Sequence, residues 1–215
     1  MSIPEPAQGQ NSLDQKQVIN GIDNIARIDA DVEIAVGAIG YPQPRIRAQG
    51  FETFFSTIVS QQISTAAATA IMQRVRDLLP RLDASSLLNL PGDALREAGL
   101  SMRKVEYAQG LANAILDRVL IPGDLQAMNN EEVIKAITVL RGFGVWSAEI
   151  YLIFSLQRND IFPADDLALQ VALQRLKGLA QRPTPKRAHA LIEHWSPWRS
   201  AGSLFLWHYY RGAPV

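Results

Sequence analysis

An all-α fold is the class this sequence predicts, on three observations. Apolar residues recur at helical spacing nearly throughout, candidate helices open on capping residues, and no stretch alternates with period two for long enough to build a sheet. SMRKVEYAQGLANAILDRVL (101–120) has apolar or small residues at 105, 108, 111, 112, 115, 116 and 119, with Ser101 placed to cap. TPKRAHALIEHW and SPWRSAGSLFLWHYY each open with Thr or Ser followed by Pro, the N-cap and first-turn signature. FETFFSTIVSQQ and TAAATAIMQRVRDLL read as helices with small positions suited to close packing, and EEVIKAITVL carries acids in its first turn.

The 215 residues are 47% hydrophobic, enough for one domain or two small lobes. No apolar run approaches the ~18 residues of a membrane span. MSIPEPAQGQNS lacks the basic and apolar regions of an export signal and reads as a flexible polar tail over residues 1–12. Cysteine is absent, which removes disulfides, thiol nucleophiles, iron–sulfur clusters and Cys-based zinc sites, and a cytoplasmic location fits. Net charge is zero, but its distribution is uneven. Residues 1–139 carry 12 Lys and Arg against 16 Asp and Glu, while residues 140–215 carry 9 against 5. The C-terminal third is therefore the better side to meet a polyanion.

The richest stretch is VLRGFGVWSAEIYLIF (139–154). Gly142 and Gly144 make a tight connection between two helical runs, with room for backbone N–H groups to approach a ligand. The following helix start, at Gly144, Val145 and Ser147, favours an anion such as phosphate. Spacing alone leaves two readings open, a helix-hairpin-helix and an ordinary corner between helices. A second stretch, DIFPADDLALQ (160–170), sets Asp165 and Asp166 at a probable helix start, where an Asp is commonly a cap.

LRGFGVWSA followed by DIFPADDLALQ closely resembles the helix-hairpin-helix/Gly-Pro-Asp superfamily of DNA repair glycosylases, and more specifically the DNA-3-methyladenine glycosylase II branch. In that branch a hairpin of the form L-x-G-x-G-x-W-[ST]-A precedes the catalytic Asp, and here Trp146 precedes Asp166 by 20 residues. IVSQQIS (58–64), GLSMRKVEYAQGLA (99–112) and HWSPWRS with LWHYY (194–210) match in the same order. The resemblance implies two helical lobes with a cleft between them. Residues 51–158 would form a central lobe carrying the hairpin, and residues 13–50 with 159–215 a flanking lobe carrying the catalytic Asp.

It further implies a base excision enzyme that flips alkylated purines of the 3-methyladenine type out of double-stranded DNA and hydrolyses the N-glycosidic bond, acting as a monomer without a cofactor. Asp166 takes the catalytic position, where a carboxylate opposes the oxocarbenium-like charge that develops on the sugar. Asp165 is its neighbour, read as a capping or solvated carboxylate. Members that also cut the backbone use a Lys where this chain has Trp146, which implies a monofunctional enzyme.

Trp146 and Trp207 match base-pocket positions, against the plain alternative of core packing. Where a family member carries a pocket aromatic, this chain has Ile150, with Tyr151 beside it, which puts the substrate range in question. Phe143 completes the hairpin expected on DNA, and its carbonyls at Leu140 and Gly142 are candidates for a structural ion. Gln62 matches the wedge that fills the gap left by a flipped base, with Gln61 next in line, against the alternative of a polar loop. His189, His194 and His208 lack partners at metal-ligand spacing, so no catalytic metal is expected. Trp195, Trp198 and Arg199 read as packing and salt bridging. Two rival functions remain: a glycosylase for deaminated purine or uracil, and a DNA-binding module without chemistry.

Overall fold

A computed structural model describes residues 13–212, and α-helices dominate them. In chain order these are α1 (Gln15–Ala26), α2 (Ala30–Ile39), α3 (Phe51–Ser60), α4 (Thr65–Leu78), α5 (Ala84–Leu88), α6 (Gly92–Glu97), α7 (Met102–Leu116), α8 (Asn130–Thr138), α9 (Val145–Phe154), α10 (Leu167–Leu176), α11 (Pro185–Leu191) and α12 (Arg199–Gly212). No strand occurs among the described residues, and no helix there is long and apolar enough to cross a membrane. The flexible tail expected over residues 1–12 lies outside them.

Local chemistry explains most helix starts. Asp14, Ser64, Asp83, Ser101, Asn129, Asp166 and Thr184 each accept a backbone N–H of the turn they open. Asn129 and Glu132 complete a reciprocal capping box on α8. One expected start differs. Ser196–Pro197 does not open α12, which begins at Arg199. The Arg199 N–H instead donates to Asp160 Oδ1 at 3.4 Å, and the Ser196 hydroxyl turns to Asp160 Oδ2.

The described residues fall into two compact units, one drawn from Met1–Ile46 and Glu149–Val215, the other from Arg47–Ala148. The divide lies inside α9, whereas the family resemblance places it after residue 158. A continuous helix offers no loop or change of composition to mark the passage.

In the first unit α12 is the central element, buried without interruption from Ser200 to Leu206, and α1, α2 and α10 pack on it. Gly21 of α1 lets Ala201 of α12 approach so closely that a Cβ at position 21 would lie 2.6 Å from the Ala201 methyl. In the second unit α7 is central, packing Val105, Ala108, Leu111 and Ala112 into a core shared with α3, α5 and α6. Phe54 and Phe55 of α3 are fully buried there, each worth about 1.5–3 kcal/mol of apolar burial.

The first unit also holds a buried ionic hub. Asp29, 5% exposed, accepts from Lys177 Nζ at 2.6 Å and from Trp195 Nε1 at 2.7 Å, and pairs with His194 Nε2 at 3.1 Å. Burial pushes the Asp29 carboxyl up, but the hydrogen bonds and the Lys177 charge outweigh it and hold the carboxyl below its ordinary range. Burial likewise pushes Lys177 down, and its bonds to Asp29 and Asp31 raise it above the ordinary value. A depressed carboxyl contributes stability above its unfolded pKa and loses it as pH falls through the folded one. A raised ammonium contributes stability below its unfolded pKa and loses it as pH rises through the folded one. Asp29→Ala should therefore cost about 3 kcal/mol at neutral pH, since it leaves the buried Trp195 indole N–H without its acceptor and Lys177 with only the half-exposed Asp31. Urea denaturation checks this, and a loss under about 1 kcal/mol, the scale of a surface pair, would show the hub to be dispensable.

Candidate active site and hairpin

Asp166 is the N-cap of α10. Its Oδ1 accepts the Leu169 N–H at 3.0 Å and also the Trp207 indole N–H at 3.2 Å. One carboxylate oxygen thus ties the start of α10 to the middle of α12. The Trp207 ring leans on Phe154 of α9 with centroids 5.5 Å apart.

The loop that delivers Asp166 is stitched down along its length. The Arg199 guanidinium grips Asp160 through two bonds of 2.6 Å, and the Ser200 hydroxyl accepts the Ile161 N–H at 3.0 Å. Gln170, buried in α10, donates to the Ala164 carbonyl at 2.6 Å, just ahead of the acidic pair. Asp165 is exposed. On the same face of α12, Trp207, Leu204, His208 and Arg211 line a hollow of about 410 Å³ with Tyr41 and Arg45. His208 itself meets the Ile39 carbonyl at 3.0 Å.

In the other unit, α8 and the first turn of α9 flank the glycine turn. Gly142 has φ +94°, and a Cβ there would run into the Tyr107 ring of α7. Gly144 meets no such obstacle, so the two glycines are not equivalent. Gly144, Val145 and Trp146 are exposed, Trp146 at 39%. The first bond inside α9 runs from Ala148 N–H to the Gly144 carbonyl at 3.2 Å, so the N–H groups of residues 145–147 precede it at the positive end of the helix.

Several expected contacts sit elsewhere. The Phe143 ring is buried edge-on against Phe54 at 5.7 Å, which leaves only its backbone for DNA. Ser147, Ile150 and Tyr151 are buried at 8%, 7% and 4%. The Gln61 side chain donates to the Gly142 carbonyl at 2.7 Å, so it is not placed as a second wedge, whereas Gln62 is exposed with φ +57°. The carbonyls considered for an ion already meet donors, Leu140 from Phe143 N–H and Gly142 from Gln61. Among the described residues no three His, Asp or Glu gather to hold a metal.

The family model for HhH-GPD superfamily base excision DNA repair proteins matches residues 55–197, from the second half of α3 to the loop before α12. The chain belongs to the HhH-GPD superfamily. Schizosaccharomyces pombe DNA-3-methyladenine glycosylase 1 is 31% identical over 215 residues, spanning 96% of this chain and 92% of that protein. Escherichia coli DNA-3-methyladenine glycosylase 2 is 30% identical over 192 residues, with 81% and 64% covered. The S. pombe 3-methyladenine DNA glycosylase Mag1, solved in complex with abasic DNA, superposes with a TM-score of 0.82 at 26% identity, covering 90% of this chain and 98% of that one. A Bacillus halodurans DNA-3-methyladenine glycosidase gives 0.79 at 28% identity, with 88% of each chain covered.

On this HhH-GPD frame the sequence reading missed Glu149. Burial and then the Asp165 charge push its carboxyl from 4.5 up to about 7. His189 faces the same charge, although burial and Arg199 push it down. The available signal was that Glu149 is the one charged residue within VWSAEIYLIF. In the folded chain Glu149 keeps a proton that the unfolded chain releases near 4.5, so ionisation costs stability as pH rises from about 4.5 to about 7. Glu149→Gln should flatten that fall and stabilise the protein at neutral pH. Denaturation midpoints across this window measure it, and identical pH slopes for variant and wild type would refute the assignment.

Proposed function

We propose that the protein is a monofunctional DNA glycosylase of base excision repair that releases alkylated purines, 3-methyladenine-type lesions first, and leaves an abasic site. The observation that carries the reading is the placement of Asp166, a carboxylate held by two N–H donors at a helix start beside Trp207. Breaking the N-glycosidic bond leaves positive charge on the sugar. A pre-oriented carboxylate facing C1′ opposes that charge and can direct the attacking water without reorganising during the step. Trp207 fixes the carboxylate through its N–H and offers a ring surface to a flipped base, and an electron-rich indole suits an alkylated, cationic purine.

Trp146, exposed in the first turn of α9, stands where lyase members carry their lysine. Water is then the nucleophile. Gly144 and the first N–H groups of α9 hold a phosphate of the duplex, and Gln62 fills the vacated stack. The names of the S. pombe and E. coli relatives support the choice of 3-methyladenine-type lesions. The enzyme acts as a monomer, in the cytoplasm, on double-stranded DNA. Ile150, where a family member carries a pocket aromatic, favours a narrower range of lesions.

Asp166→Asn tests the reading with little risk to the fold, because Asn still caps a helix and still accepts from Trp207. Excision from a lesion-bearing duplex should fall about a hundredfold or more, with duplex binding retained. Near wild-type excision by Asp166→Asn together with a dead Asp165→Asn would move the role to the neighbouring residue.

A further inference from the structure

We propose that Gln61 is a positioning residue, coupling the turn that carries Gln62 to the hairpin through the Gly142 carbonyl. The inference rests on the glycosylase reading for its purpose, and on one unit of the molecule for its geometry. Gln61 is the last residue of the α3 turn, and its amide reaches the hairpin 81 residues away with a 2.7 Å bond. The backbone passes directly from it into Gln62, at φ +57°, and then Ile63, exposed at 37%, before Ser64 caps α4. The two side chains at the apex are therefore tethered from their near end.

Two further ties close the bracket. Lys104 of α7 donates to the Val59 carbonyl at the end of α3 at 2.7 Å. Tyr107, three residues on along α7, lies against Gly142, where it occupies the space of a Cβ. The end of α3, the body of α7 and the hairpin thus form a closed set of contacts. Any shift of the apex turn against the hairpin breaks at least one of them.

This arrangement has a physical use. The hairpin grips a phosphate without reading sequence, while the wedge must enter the base stack at one depth. A rigid link fixes the distance between the two tasks. Gln61 then touches no DNA and acts only through its neighbours.

The test compares affinity for an intact duplex with affinity for one carrying a tetrahydrofuran abasic analogue, using wild type, Gln61→Met and Gln61→Glu. Thermal midpoints report folding. Wild type should prefer the abasic duplex, and Gln61→Met, which fills the space without a donor, should lose about fivefold of that preference with its midpoint lowered by only about 2–4 °C. Gln61→Glu should do no better than Gln61→Met at about pH 8 and recover toward wild type as pH falls to about 4.5, where an ordinary Glu carboxyl is close to half protonated, since only the protonated carboxyl can donate to Gly142. A Gln61→Met protein with full preference, an equal loss on both duplexes, or a wild type without preference each overturns the coupling. Base release by wild type is scored separately. If no base is released but the preference still drops in Gln61→Met, the glycosylase reading fails and the coupling stands.

Discussion

A single carboxylate oxygen organises the first unit. Asp166 Oδ1 receives the Leu169 N–H and the Trp207 indole N–H together, so the start of α10, the ring in mid-α12 and the carboxylate itself share one fixed point. The surrounding contacts keep that point from drifting. Arg199 and Ser200 hold the loop from Asp160 to Ile161 against the first turn of α12, and Gln170 holds the Ala164 carbonyl from the opposite side. The cap of a helix and the group assigned to catalysis are the same residue because both tasks ask for a negative charge at a helix start.

Charge is sorted by task across this unit. The strong pairs, Asp29 with Lys177 and Asp160 with Arg199, lie in the scaffold and join segments far apart in sequence. Near the acidic pair the balance differs: Glu149, pushed up to about 7 by burial and by Asp165, carries only about half a negative charge at neutral pH. A phosphate-bearing substrate meets less repulsion there than the sequence count of carboxylates implies.

Legibility from sequence followed the range of the interaction. Helix starts at Ser101, Thr184 and Asp166 were readable because a cap needs only its own turn. The hairpin was readable only through the resemblance carried by LRGFGVWSA, since its glycine spacing alone also fits an ordinary corner between helices. Gln61 read as the next candidate for the wedge and not as a tie to the hairpin, since its partner is 81 positions away and a backbone carbonyl leaves no mark in a sequence. The displaced start of α12 has the same origin: Asp160, a carboxylate 39 residues upstream, takes the role a local Ser196 was expected to fill. Phe143 lay in a motif expected to meet DNA, yet its ring serves the core, because its partner Phe54 is 89 positions away and leaves no mark in the local motif.

The central claim is hydrolytic base release driven by the fixed Asp166 carboxylate with water as nucleophile. Its most direct measurement is product analysis on a duplex carrying one 3-methyladenine-type lesion, with borohydride present in a parallel reaction. The account predicts free alkylated base, a strand that breaks only on treatment with alkali, and no covalent protein–DNA adduct. A borohydride-trapped complex, or a tightly bound duplex from which no base is released, would contradict it.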